Sequence, residues 1–415
     1  MIFLLPATGK RMARRLATVA LLLVFLLPLL RPTAVWSAEV SWLPSLSLRG
    51  EYDDNIAFEN RDELDDYLAT ISPSLLFKYA SERVKINSSL ALDVLRYSDE
   101  TDLNDEYQHY NLDGEYQLTE KLALTGQGSF IKDTTLESEL EETGLVNFRE
   151  DRRRYTLGGG FAYRLSERNS WQLNYNFVKT NYDGRENVDY ESHTVSGTFQ
   201  HQLANMRDFL ILQPYYTYYD SDVSKVDNYG LVAGFEHPFS ETLHLSLHSG
   251  ARYTESSYDQ WKVHWIFPPF VYELVSQREH DNNWGWLADF SLKKTAERWT
   301  AEIGYDRDLS FGSSGESIER NRFHFTGDYK INTRFRARLT TSLYYTESDS
   351  DYSDEDSRYF NVTPSISYKL TERYSLVLAY SYAETYDKTL DSNRHYDRNR
   401  VWLSLDFHFP QLNNS

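Results

Sequence analysis

The 415-residue chain has no cysteine, only 3 methionines and a shortage of positive charge. Without cysteine there can be no disulfide framework, thiolate metal site or sulfur nucleophile. Lys and Arg number 43 against 62 Asp and Glu, a formal net charge of −19. That balance excludes a nucleic-acid binder, which needs a basic footprint. Mean hydropathy is −0.60. No stretch beyond residue 37 is apolar enough for a membrane-spanning helix, so a helical bundle is excluded as well. The 11 histidines are scattered, and neither a Gly-x-Ser-x-Gly elbow nor a His-Glu-x-x-His pair occurs. Catalysis is therefore not expected, and no motif calls for a cofactor or metal.

Aromatic residues, in contrast, are abundant: 32 Tyr, 22 Phe and 9 Trp make up 15% of the chain. This exceeds ordinary globular usage.

Residues 1–37 carry Lys10, Arg11, Arg14, Arg15 and Arg31 with no acid, around an apolar run from Leu16 to Leu30. Val35 and Ser37 supply the small residues a signal peptidase needs, so 1–37 reads as a secretory signal peptide. Removing those five bases takes the net charge from −19 to −24 over residues 38–415.

From Leu46 onward, segments of about ten residues alternate apolar and polar side chains, the period of a strand with two unlike faces. Tyr110, Leu112, Gly114 and Tyr116 oppose Asn111, Asp113 and Glu115, and Leu403, Leu405 and Phe407 repeat the pattern near the end. Eighteen strand centres follow, near 47, 74, 90, 112, 126, 158, 175, 197, 214, 233, 248, 288, 303, 326, 340, 365, 379 and 404. Their connections alternate between tight turns and long loops. The tight ones share a phrase, as in Leu118-Thr119-Glu120-Lys121, Leu165-Ser166-Glu167-Arg168 and Leu370-Thr371-Glu372-Arg373. Long loops are expected near 53–64, 98–106, 133–150, 182–190, 220–228, 254–283, 309–320, 346–358 and 384–397. Outward tyrosines are expected before the short turns (Tyr79, Tyr116, Tyr163, Tyr329, Tyr368) and beside the long loops (Tyr97, Tyr182, Tyr253, Tyr305, Tyr345, Tyr382). Two aromatic girdles, short periplasmic turns and long extracellular loops describe an all-β, transmembrane, antiparallel up-and-down barrel of about 18 strands in a bacterial outer membrane.

A barrel of this size is too wide for side chains to fill, so function points to a pore. The inward parity offers Arg154, Arg164, Arg252, Arg322, Arg336, Arg338 and Arg400, with Asp113, Glu115 and Glu302, as pore-lining candidates. Arg322, Arg336 and Arg338 come from neighbouring strands. They could form a stripe that binds acidic sugars by forked hydrogen bonds, or could pair with lumen acids and brace the wall. The loop acids, such as Asp349, Asp351 and Asp354, read either as solvated surface or as cation ligands bridging to lipid phosphate, although no calcium-loop spacing occurs. The stretch 254–283 holds Trp261, Trp265, Phe267 and Phe270 and is expected to gate the pore mouth or to pack against a neighbour or the lipid rim. Phe209–Tyr219 is apolar on both parities, so its facing is undecided.

The segment Tyr52-Asp53-Asp54-Asn55-Ile56, the Ile71-Ser72-Pro73 stretch and the repeated turn phrase resemble the β-barrel porin family that accompanies exopolysaccharide and exosortase gene clusters. The resemblance covers residues 38–415. It implies an outer-membrane channel that exports a secreted polysaccharide, similar in architecture to the eighteen-stranded alginate exporter, with no catalytic residue. Implied partners are outer-membrane lipid and lipopolysaccharide, the polysaccharide substrate and a periplasmic export protein, with no nucleic acid. General diffusion of small solutes, or a structural or adhesive barrel, are the alternatives. Many barrels end in an aromatic residue; here Phe409 is followed by Pro410 to Ser415.

Overall fold

The computed structural model describes residues 38–413 except 60–62, 146–147, 268–270, 314, 316, 350–355 and 390–391. The expected signal peptide lies outside the described residues. The chain forms antiparallel hairpins in sequence order. The first nine strands are β1 (Glu39–Asp53), β2 (Asp66–Ala80), β3 (Val84–Tyr97), β4 (Glu106–Gln117), β5 (Leu122–Thr134), β6 (Asp151–Arg164), β7 (Asn169–Tyr182), β8 (Tyr190–Gln202) and β9 (Phe209–Ser221). The next nine are β10 (Ser224–Ser240), β11 (Leu243–Phe267), β12 (Val271–Thr295), β13 (Trp299–Phe311), β14 (Ser317–Lys330), β15 (Phe335–Ser348), β16 (Asp356–Lys369), β17 (Tyr374–Thr389) and β18 (Ser392–His408). Each expected centre falls inside its strand.

Every strand pairs with its sequence neighbour, and β1 pairs with β18 from Ser45↔His408 to Asp53↔Arg400. The sheet is thus an eighteen-stranded closed barrel with no free edge, the arrangement a lipid environment demands of β structure. The residues after Phe409 fold back as a short β19 (Leu412–Asn413) on Ser41 and Trp42 of β1, prolonging the closing seam past Pro410.

Alternation along the strands puts Leu112, Leu157, Leu212, Leu231, Ile303 and Leu403 on the outer face, all exposed. The facing of β9 is settled: Leu210 and Leu212 point out, whereas Tyr219 points in and is fully buried. Prolines on the outer face leave gaps in the ladder. Pairing of β2 with β3 skips Pro73, that of β8 with β9 skips Pro214 and that of β16 with β17 skips Pro364. Proline has no N–H to give, and a closed barrel has no edge on which to hide it.

Three expected loops prove to be strand. Segment 220–228 is a tight β9–β10 hairpin, and 384–397 continues β17 and β18. Segment 254–283 continues β11 and β12, which pair from Leu243↔Lys294 to Phe267↔Val271. Beyond Tyr258, β11 has lost β10, and β12 has lost β13 for the residues before Ala288, so the pairs from Asp259↔Arg278 upward form a two-stranded hairpin without neighbours. The segment is therefore a strand hairpin and not an irregular loop. Trp261, Trp265 and Phe267 lie in strand β11, while Phe270 lies outside the described residues. The reason is local: alternating residues on two arms of equal length continue a ladder at no cost in closure.

Candidate functional site in the lumen

The connection between β5 and β6 turns into the lumen. It leaves the wall at Thr134, makes one wide turn (Thr135–Glu139) and one α-helical turn (Leu140–Thr143), and returns at Asp151. Gly144 ends the helical turn at φ 76° with its N–H on the Leu140 carbonyl at 2.9 Å. Glycine is needed there twice over, because a Cβ would sit 2.5 Å from the Tyr344 side chain.

Leu136 and Leu140 from this segment bury against Tyr344, Tyr359, Ala383 and Tyr396 of β15–β18, together with Phe58 from the β1–β2 connection. The Tyr344 hydroxyl donates to the Glu141 carbonyl, and Arg320 of β14 donates to the Glu142 carbonyl. Strands β6 and β15 stand half a barrel apart, so the segment crosses the bore. A second crossing lies beside it: Phe311, at the end of β13, stacks on Tyr219 of β9 with centroids 4.2 Å apart. The β13–β14 turn that follows passes Gly315, at φ 78°, against Val188 and Ser221.

Charges hold this arrangement. Arg152 of β6, itself fully buried, meets Asp133 at 3.2 Å, Glu139 at 3.5 Å and Glu142 at 3.5 Å. Glu139 also accepts from the Tyr182 hydroxyl at 2.8 Å and from the Ser313 N–H at 2.6 Å, so it joins β6, β7 and the β13–β14 turn. Burial pushes the Glu139 carboxyl above the usual range, with Arg152 opposing, and burial does the same to Glu141. Hydrogen bonding at this level explains why the Tyr52 to Ile56 motif is so polar. Asp53 takes the Arg398 guanidinium at 2.9 and 3.0 Å, Asp54 takes Asn399, Asn55 bonds Glu59 and the Asp397 carbonyl, and the Ile56 carbonyl accepts from Arg149 at 2.7 Å. The motif is a clasp between the closing seam and the inserted segment.

The expected pore-lining residues scatter among different tasks. Arg154 pairs with Glu142 of the inserted segment. Arg252 is fully buried on Asp349, at 2.6 Å, and Glu319, at 3.0 Å, so it anchors the β15–β16 connection instead of facing open water. Arg322 meets Asp306 at 2.8 Å, Arg338 meets Asp328 at 3.0 Å, Glu115 meets Lys85 at 3.7 Å and Glu302 meets Lys293 at 3.2 Å. Asp113 borders an inner-wall cleft of about 380 Å³ shared with Asn87, Gln127 and Asn174. Arg164 and Arg336 stand at the short-turn ends of β6 and β15. The stripe expected from Arg322, Arg336 and Arg338 does not form. Register puts Arg322 opposite Tyr344 but Arg338 opposite Asp328, about 20 Å farther along the strand at ~3.3 Å per residue.

Positive charge gathers elsewhere. Arg49, Arg322 and Arg400 line a lumen cavity of about 540 Å³ with Trp402, Glu137 and Glu141. The Arg49 guanidinium lies 4.3 Å from the centre of the Trp402 ring, and Arg400 lies 4.0 Å from Glu51. Sequence reasoning missed Arg49, Trp402 and the Glu139 hub. The available signal was inward parity: Trp402 falls among the polar positions of β18.

Tyrosine facing also needs correction. Tyr97 and Tyr182 point inward, because they fall on the polar parity of β3 and β7. With Tyr107, Tyr190, Tyr219, Tyr258, Tyr344, Tyr359 and Tyr396 they make a ring of nine inner tyrosines with 0–8% exposure, all toward the long-connection end.

Residues 42–202, spanning β1 to β8, match the family described as "Putative beta-barrel porin 2". The chain is an outer-membrane β-barrel, and its first eight strands are similar to that porin family. Among solved structures the barrel is similar to OccK2 (OpdF) of Pseudomonas aeruginosa, at 8% identity over 89% of this chain and 98% of that chain, TM-score 0.45. It is also similar to OccAB4 of Acinetobacter baumannii, at 12% identity over 91% and 100%, TM-score 0.45, and to the ferric-catecholate import receptor Fiu of E. coli K12, at 9% identity over 88% and 81%, TM-score 0.44. No curated protein matches the sequence.

Proposed function

We propose that this porin-type barrel conducts a secreted polysaccharide outward, with the Arg49, Trp402 and Arg400 cavity holding the glycan in the lumen. The observation that carries the reading is the stacked Arg49–Trp402 pair in a cavity whose lining also includes Thr326, Thr340, Ser342, Asn361 and Thr363. An aromatic face packs on the C–H surface of a sugar ring, hydroxyls and amides exchange hydrogen bonds with its hydroxyls, and arginine forks donate to carboxylates. Thr135–Thr143 crosses the bore, so conduction of a polymer chain would require that segment to move aside. Lipopolysaccharide on the outer face and a periplasmic export protein at the short-turn side are the proposed partners, as is an exopolysaccharide or exosortase gene neighbourhood.

The test is deletion of the gene, followed by complementation with wild type and with Trp402→Ala. Loss of surface polysaccharide, restored by wild type and poorly by the variant at equal barrel abundance, is the expected result. Normal polysaccharide with lost uptake of small solutes would show a diffusion porin instead, a reading favoured by the description of the matched family.

A further inference from the structure

The outer wall carries a feature that a channel does not require. Between β13 and β18 a groove of about 680 Å³ opens on the lipid-facing side. Its floor is made of small or ring-closed residues: Ala301, Gly327, Ala337 and Pro364. Register explains the shape. Ala301 pairs with Gly327, and Pro364 stands two strands on in the same row beyond Leu339, while Ala337 sits in the next row between Tyr329 and Ile366, so small or ring-closed residues from four strands adjoin and leave the wall low between larger side chains. The adjoining row, one step toward the short turns, runs Trp299, Tyr329, Ala337 and Ile366, and its two exposed aromatics bank the groove at the periplasmic end. Leu378, Tyr380 and Val401, all exposed, bank the other side. A Cβ at Gly327 would approach the Phe325 ring to 3.1 Å, so glycine there lets the ring lie flat along the wall.

The groove overlies the place where the ladder between β16 and β17 skips Thr363 and Pro364. On the lumen side the same gap is sealed: Asn361 donates to the Ser381 hydroxyl at 3.2 Å, and Thr363 bonds it at 3.1 Å. The depression is therefore closed inward and open outward. The charged neighbours Asp328 and Arg338 are spent on each other at 3.0 Å, on the inner parity.

We propose that the groove binds one acyl chain of a phospholipid from the periplasmic leaflet. The wall faces hydrocarbon at this level, where an open space of this size must be filled by something apolar and slender. The aromatic bank of Trp299 and Tyr329 lies at the short-turn end, which places the headgroup on the periplasmic side.

The purified barrel, reconstituted with phosphatidylethanolamine and returned to detergent, would be weighed by native mass spectrometry. Wild type and Leu157→Phe, a control on the far outer wall, should retain one phospholipid that Ala337→Phe loses. Retention by none, equal retention by all three, or a dimer that Ala337→Phe abolishes would overturn the assignment. Should Ala337→Phe fail to assemble, wild type decides with phosphatidylethanolamine brominated on its acyl chains. Part of the tryptophan quenching should survive dilution into unbrominated lipid, and Trp299→Phe should lack that part; complete reversal in wild type would refute a bound chain.

Discussion

The two halves of the lumen are built from the same strands and the same alternation, yet they are different materials. Toward the long connections the inner face is protein core: Arg152, Glu139 and Tyr219 are fully buried, and the tyrosine ring packs on inserted segments. Toward the short turns the inner face is a wetted wall, where Arg338–Asp328, Lys293–Glu302 and Lys85–Glu115 pair across strands with much of each side chain in water. Facing inward does not decide whether a residue is solvated; what reaches in from the loops decides it. The same ion pair is consequently a different interaction in each half, since a buried charge that loses its partner keeps its desolvation penalty and an exposed one does not.

That contrast can be broken most directly by removing what fills the outer half. Replacing residues 136–149 with a short Gly-Ser linker should leave the barrel ladder intact and raise single-channel conductance several-fold in planar bilayers. Unchanged conductance would mean that the segment does not obstruct the bore. Arg152→Ala comes next: it strands Asp133 and Glu139 without their buried cation and should cost the docked segment about 3–5 kcal/mol, read as faster protease cleavage between residues 135 and 150. Gly144→Ala should weaken the same docking by about 1–2 kcal/mol for the left-handed backbone alone, with the Tyr344 contact adding to it, and equal cleavage rates in wild type and variant would count against the turn as a requirement.

Acidity offers a finer probe. Burial raises the Glu141 and Glu139 carboxyls above their ordinary range. The protonated forms therefore favour the docked segment. Its stability is fully present below the usual carboxylate range and is lost as pH rises through the raised values. Conductance should be lowest in acid and climb toward neutrality, and Glu141→Gln should flatten part of that climb; a profile unaltered by the variant would assign the dependence to other groups. The smallest effect belongs to the wetted half. Arg338→Ala removes a pair whose arginine side chain is 54% exposed, so it should change stability by less than about 1 kcal/mol while shifting cation over anion selectivity slightly in reversal-potential measurements.

Much of the barrel was legible because β alternation and turn chemistry are local. All eighteen strands fall where period-2 patterning puts them, and short turns built on Thr119, Ser166 and Thr371 hydroxyls carry their own hydrogen bonds. The outer face was readable at Leu112 or Leu403 for the same reason. The site was harder. Tyr97 and Tyr182 look like girdle residues from their nearness to long connections, and only strict parity sends them inward. The 254–283 stretch looks like a loop from its length and its tryptophans, yet its arms satisfy each other as a ladder. The 133–150 stretch looks like ordinary acidic loop, although its acids are the ones that neutralise Arg152 and Arg154.

By itself the sequence determined the number of strands, most of the side chains that face lipid, and the absence of cysteine. These follow from residue type and spacing along the chain, because each strand pairs with its neighbour in sequence. Tertiary structure alone decided which half of the lumen is core and which is water, and it brought Arg49 to Trp402. Those outcomes depend on contacts between distant parts of the chain, such as Tyr344 with Glu141, 203 residues apart. Such contacts need the closed barrel, which gives the segment two walls to bridge.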